Sequence, residues 1–235
     1  MNRQKIKVYE LRVKVFLLES IPFRELQNVL ANFIDSALCQ NQKLLAFHEE
    51  KCCKFYCIGT LWPLEKGGTY YKEQIYTLTV RTVVPELAKY FYDVLKDHHT
   101  KQIKGLITEI RIIPKKIINE IYSLNPVLIK TPEGYWRSYM SFEEYEKRLF
   151  ANTVKKYNSF TGEHIQEDFP FYTSISFLNR HPIVCKYNDI SLLGDKLKLQ
   201  IADDERSQEL GYFVLGTSLG MNSSRGNGFC NYRWI

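Results

Sequence analysis

The chain has 235 residues, 45% hydrophobic and 25% charged, with a formal net charge of +6. That composition suits one large or two small folded domains, and the moderate basic excess is compatible with a polyanionic partner without requiring one. No stretch approaches the roughly 18 uncharged apolar residues of a spanning helix, no secretory pattern opens the sequence, and the six cysteines (39, 52, 53, 57, 185 and 230) form no CxxC pair, so the expectation is a soluble cytoplasmic protein with reduced thiols and no membrane partner.

Leu11, Val13, Val15 and Leu17 alternate with Arg12 and Lys14, as a half-buried strand requires. Pro22 opens a helix over about 22–39, with Phe23, Leu26, Leu30, Phe33, Ala37 and Leu38 at helical spacing. A short run from Lys54 to Thr60 and a turn-rich stretch with Pro63, Gly67 and Gly68 follow. Ile75 to Val84 reads as a strand, Pro85 starts a second helix, and Ile103 to Ile113 reads as a strand again. This order, β-α-β-β-α-β, is that of the ferredoxin-like fold. His98 and His99 follow the second helix as partners for its C-terminal dipole.

The second half repeats the order less clearly. Pro126 to Lys130 reads as a short strand, and Ser141 with Glu144 forms a capping box before a helix. An irregular segment around 158–171 precedes an extra strand at Tyr172 to Leu178. Ile183 to Tyr187 and Lys196 to Ile201 read as a strand pair, Asp204 to about Leu219 as a helix, and Phe229 to Trp234 as a last strand. The expected class is therefore α+β, two tandem ferredoxin-like (RRM-like) domains over 1–117 and 118–235, with the boundary falling in 114–125.

Between that helix and strand lies SLGMNSSRGNGF, Ser218 to Phe229, preceded by Gly216. Glycines let a backbone approach a ligand, serine and asparagine add donors, and Arg225 adds a charged fork suited to phosphate. A mobile connection is the plain alternative. The segment is no P-loop, since no GK[ST] follows, and no dinucleotide fingerprint, which needs a strand before it and a helix after it.

This ending resembles the CRISPR-associated repeat-RNA endoribonuclease family: tandem ferredoxin-like domains that end in a glycine-rich loop and cut a precursor transcript into guide RNAs. Gly216, Gly220, Arg225, Gly226, Gly228 and Phe229 carry the likeness, with Asn222, Ser223 and Ser224 among the expected RNA-binding residues; Ser218 stands where many members have another glycine. A second likeness is AFHEEKCCKFYCIG, residues 46–59, where Phe47, His48, Lys54 and Phe55 fill family positions. The resemblance implies CRISPR repeat RNA and guide RNA as partners, with other CRISPR-associated proteins of an effector complex beside them. It also implies cleavage without a metal or cofactor, leaving 2′,3′-cyclic phosphate and 5′-hydroxyl ends.

On that reading His48 is the catalytic acid–base group and Lys54 steadies the phosphorane charge, with Lys51 as competitor. Some members add a tyrosine from the first helix; here that helix has none, so a third group comes from Tyr56, Tyr70 or Tyr71 or is missing. The alternative is a non-catalytic RNA-binding or scaffold subunit on the same fold. Zinc on His48, Cys52, Cys53 and Cys57 fits the usual ligand spacings poorly. Further phosphate contacts are expected from Lys115–Lys116 and Lys155–Lys156, and WPLEKGGTYYKEQ, residues 62–74, reads as a hairpin exposing aromatic and basic side chains to RNA.

Overall fold

The computed structural model describes residues 5–50, 52–187 and 190–235. The first half runs β1 (Tyr9–Leu17), β2 (Ile21–Pro22), α1 (Phe23–Leu38), α2 (Gln42–Glu49), β3 (Tyr56–Trp62), β4 (Thr69–Tyr70), β5 (Ile75–Thr82), α3 (Pro85–Leu95) and β6 (Ile103–Ile112). The second runs β7 (Ile118–Ser123), α4 (Phe142–Thr161), β8 (Tyr172–Phe177), β9 (Ile183–Tyr187), β10 (Ile190–Gly194), β11 (Leu197–Ile201), α5 (Glu205–Thr217) and β12 (Cys230–Trp234). Each half holds a four-stranded antiparallel sheet, ordered β3-β5-β1-β6 and β12-β7-β11-β8. In both, the fourth strand lies beside the first and the second strand takes the far edge, which is the ferredoxin-like arrangement. The fold is α+β, with two such modules in tandem.

Local chemistry sets the elements. In β1 Leu11, Val13, Val15 and Leu17 are buried with the α1 and α3 side chains, while Arg12 and Lys14 face away. Pro85 sits at the first position of α3, where its missing N–H costs nothing. The Ser141 hydroxyl accepts the Glu144 N–H at 3.1 Å to start α4, and Gly162 ends it in the left-handed conformation. The capping box is only half made, because the Glu144 carboxylate pairs with Arg148 instead.

Several sequence expectations are corrected. The first strand of the second sheet is Ile118–Ser123, not 126–130; that stretch makes only isolated bridges, Val127 to Asp195 and Leu128 to Met221. β8 is no extra strand but the second strand of its sheet. β9 pairs with β10, a strand absent from the sequence reading, and β11 pairs with β7 and β8. The short helix α2 also went unread. His98 is buried: its ring reaches α1, with Nε2 2.7 Å from Ser36 Oγ and Nδ1 3.0 Å from Gln40 Nε2.

Helix α5 joins the modules. Leu210 to Thr217 are all buried, because the helix packs on β7, β11 and β12 of its own sheet and on β3 and β5 of the other. The Tyr212 hydroxyl donates to Ile113 O (2.6 Å) and accepts the Val8 N–H (3.1 Å), both from the ends of the first sheet. Gly216 permits the closest approach, since a Cβ there would lie 2.7 Å from Val83 Cγ1. A helix that ends inside the protein leaves carbonyls without water. Lys156 of α4 supplies the donors: its buried Nζ lies 3.3, 2.5 and 3.2 Å from the carbonyl oxygens of Thr217, Ser218 and Gly220. Burial pushes its pKa below the ordinary lysine value.

A second tie runs through Arg81 on β5. Its Nε donates to Glu10 Oε2 at 2.8 Å, and its two NH groups donate to Cys230 O (2.6 Å) and Asn231 Oδ1 (2.9 Å) on β12. Arg111 NH2 reaches the other Glu10 oxygen at 2.7 Å. Burial alone would raise the Glu10 pKa, but the two guanidiniums outweigh it and hold the carboxyl below its usual range.

These buried contacts generate two expected outcomes. Glu10→Ala strands Arg81 in the interior and should cost about 3–5 kcal/mol in urea unfolding. Because the folded Glu10 pKa is depressed, its stabilisation is complete above the ordinary carboxylate pKa and is lost as pH falls through the folded value. The wild-type urea midpoint should therefore drop more steeply with acid than that of Glu10→Gln. Lys156→Met keeps the side-chain length but leaves buried carbonyls without a donor, a loss of about 1–3 kcal/mol. Amide exchange should then accelerate at Leu219 and Gly228, and no such acceleration should appear in Lys155→Met.

Candidate functional site

The glycine-rich loop is an interior connection as much as a surface one. Gly216 lies in α5, while Gly220, Ser223, Gly226, Gly228 and Phe229 are buried. The loop folds back on residues 125–128: Met221 N–H donates to Leu128 O (2.9 Å), Gly228 N–H to Pro126 O (2.8 Å), and Asn125 Nδ2 to Gly226 O (2.6 Å). Gly228 adopts φ +65, and a Cβ there would lie 1.9 Å from Leu219 O, so no larger residue fits this conformation. On its other side a short 3-10 turn, Ser223–Arg225, meets α1 and β3, where Arg225 pairs with Asp35. Asn222, Ser224 and Arg225 keep partial exposure.

The second motif lies on α2 and the connection after it. His48 falls in the last turn of α2, its side chain outside the described residues, and Lys51 lies outside them altogether. Lys54 folds back on the helix end, its Nζ donating to Glu50 O at 2.7 Å. This places Lys54 at the C-terminal end of the helix that carries His48. Among the candidate tyrosines, Tyr56 and Tyr70 are core residues. Burial pushes the Tyr56 pKa up, and the Tyr70 hydroxyl donates to Leu61 O at 3.1 Å. Tyr71 is exposed. Cys57 is buried on β3 while Cys52 is exposed, so these two thiols do not converge.

Lys156 cannot meet phosphate, since its ammonium is consumed by three carbonyls; Lys155 remains on the surface. Lys115 lies 3.6 Å from Glu209, and Lys116 is exposed.

A basic concavity lies elsewhere. A groove of about 660 Å³ runs over the helix-free face of the first sheet and ends at β12. Arg12, Lys14, Arg81 and Arg111 line it against two carboxylates, Glu10 and Glu109. Glu10 is already neutralised by Arg81 and Arg111, so the balance is basic. Aromatic rings stand among these charges: Phe229 lies 4.6 Å under the Arg81 guanidinium, and Trp62, 65% exposed, stands at the groove wall. Residues 63–74 join β3 to β5 as the expected hairpin connection, although its β4 pairs with β2.

Sequence reasoning noted Trp62 but not its neighbours in space. The signal was available in β1, whose outward residues Arg12 and Lys14 share one face with Thr77 and Thr79 of β5 once the register is known. Among the described residues, none of α2 or of the loop 220–228 lines the groove. The α2 residues Lys43 and Leu44 instead border a smaller apolar hollow with Leu87 and Tyr90 of α3.

Comparison with known proteins agrees with this architecture. A family model described as "CRISPR associated protein Cas6, C-terminal" matches residues 109–232, more than half of the chain. A solved structure described as "CRISPR associated protein Cas6" superposes with a TM-score of 0.71 at 20% identity, covering 96% of this chain and 99% of that one. The product of a Cas6-related gene from Pyrococcus furiosus gives 0.69 at 16% identity, covering 96% and 98%. A protein described as "An RAMP protein binding different RNA substrates" gives 0.71 at 16%, covering 96% and 99%. At these identities the solved structures speak for the fold alone, and curated protein sequences yield no match. The family model and the fold together place the chain: it belongs to the CRISPR-associated Cas6 family, the repeat-RNA processing family that its terminal loop resembles.

Proposed function

We propose that this protein binds CRISPR repeat RNA and cuts the precursor transcript into guide RNAs. The observation that carries the binding half is the basic groove, where Arg12, Lys14 and Arg111 lie on one sheet face with Trp62 at its wall. A four-stranded sheet with exposed aromatics is a surface on which unpaired bases stack while cations hold the phosphates. Single-stranded repeat RNA occupies this groove.

Cutting belongs to the segment from α2 to β3. The 2′-hydroxyl attacks its neighbouring phosphate, an O2′–P bond forms, and the P–O5′ bond breaks. The products are a 2′,3′-cyclic phosphate and a 5′-hydroxyl. A base takes the 2′-proton and an acid returns one to the leaving 5′-oxygen; His48 serves one of these transfers. Lys54 or Lys51 faces the charge that builds on the phosphorane oxygens. Support comes from proximity in the fold, because Lys54 is hydrogen-bonded to the end of the helix that bears His48. The groove lies on the opposite face of the first sheet from its helices, so the RNA that reaches both is longer than the segment held in the groove.

The experiment separates holding from cutting. In excess chelator, wild-type protein should cut its cognate repeat RNA at one position. His48→Ala should lower the single-turnover rate about 100- to 10,000-fold with binding retained. Trp62→Ala should weaken binding about tenfold, the worth of one stacked base. Binding without cutting by wild type would replace the nuclease with the scaffold subunit, and unchanged affinity in Trp62→Ala would remove the RNA from this groove.

A further inference from the structure

The outer backbone edge of β6 lies beside the RNA groove, which Glu109 and Arg111 of the same strand help to line. Residues 103–105 are covered by the preceding turn, through Thr100 N–H to Ile103 O and Gly105 N–H to His98 O. Beyond a bulge, the strand continues to Ile112 with no further cover: among the described residues, no backbone hydrogen bond from outside β1 reaches 106–112. Ile113 N–H turns inward to Val8 O, which fixes the phase of the ladder. The backbone N–H and C=O groups of Thr108, Ile110 and Ile112 therefore point outward. Edge strands usually carry lysine, proline or a covering loop against unwanted pairing. This one instead exposes Ile107, Ile110 and Ile112, at 60%, 41% and 47%.

We infer that this edge pairs antiparallel with the same edge of a second copy, about a two-fold axis through Ile110. The outward groups allow only registers that set even-numbered residues opposite one another. Centred on Ile110, Ile110 faces its own mate and Thr108 faces the partner copy's isoleucine 112. Glu109 then stands across from the partner's arginine 111, twice by symmetry. Cross-strand opposite charges attract and like charges repel. Shifting the axis to residue 109 would oppose two glutamates, and shifting it to 111 would oppose two arginines. Of these three registers, charge selects the one centred on Ile110. Arg111 contributes Nε and NH2 to Glu10 and remains 49% exposed, so its outer side faces the joint. The pairing extends one sheet into another with their helix-free faces on the same side, so the two grooves become neighbours.

Sedimentation velocity over a wide concentration range tests this. Wild type should move toward twice the 27.8 kDa protomer mass as concentration rises. Glu109→Arg and Arg111→Glu should each weaken the dimer about tenfold or more, since each sets like charges opposite at both pairs. Mixing the two variants should restore it, because both pairs become opposite again in the mixed dimer. Ile110→Asp, which breaks no hydrogen bond within the protomer and places two carboxylates at the axis, should also be monomeric; circular dichroism confirms that each variant folds. If Arg111→Glu fails to fold, the Glu109→Arg and Ile110→Asp results decide. A wild type that stays monomeric at every concentration overturns the proposal. So do single variants that dimerise as wild type does, or folded variants whose mixture stays monomeric.

Discussion

The structure depends on burying the second half of a helix, α5, on every side. A surface helix offers one apolar stripe, whereas α5 buries every residue from Leu210 to Thr217 between two sheets. That burial welds the modules, but it also brings the end of a helix, with its unpaired carbonyls, into the interior. Lys156 answers this with an ammonium whose three protons meet three carbonyls. Desolvating one charge is costly, and the cost is tolerable here only because the acceptors sit at the negative end of the helix dipole. Where the chain goes next follows from that clamp. It leaves α5 through Ser218 at φ +66 and turns back along residues 125–128.

The same junction shapes the electrostatics of the groove. Arg81 reaches from the first sheet to β12, and its charge is spent on Glu10 and on two acceptors of that strand. Arg111 is partly spent as well. The cations left for a polyanion are then the exposed part of Arg111 together with Arg12 and Lys14, Lys14 held by Thr77 Oγ1 at 2.8 Å and Arg12 by Glu10 at 3.1 Å. The buried ion network thus fixes the geometry of the wall, while its exposed rim supplies the affinity. A buried pair is weak evidence of net stability, but losing one partner of it is expensive.

The first module was legible because its rules agree at every level. β1 alternates cleanly, Pro85 starts a helix, and both helices carry stripes of the right period. The second was harder for identifiable reasons. Ile118–Ser123 reads INEIYS, whose polar Asn119 and Glu120 disguise a central strand with no exposed residue, while the more apolar 126–130 looks like the better strand and is instead the rail on which the loop docks. Lys155 and Lys156 look alike in sequence, yet one is on the surface and the other in the core. Nothing in a local window announces a buried lysine, since the carbonyls that justify it lie some sixty residues away. The groove was hidden for the same reason, its charges being scattered over β1, β5 and β6 until the register aligns them.

The glycine-rich loop shows how composition can be read twice. Glycine permits close approach, and composition alone suggests a ligand as the approaching group. In the fold much of that room is already used by the protein itself: Val83 lies against Gly216, Leu128 against Gly220, Gln27 against Gly226 and Leu219 against Gly228. A loop that must reverse direction between a buried helix and a buried strand needs these glycines whatever it binds. What packing does not demand is the partial exposure of Asn222, Ser224 and Arg225, on the side that faces α1. The glycines thus serve the path of the chain, and the three side chains are what the loop presents at its surface.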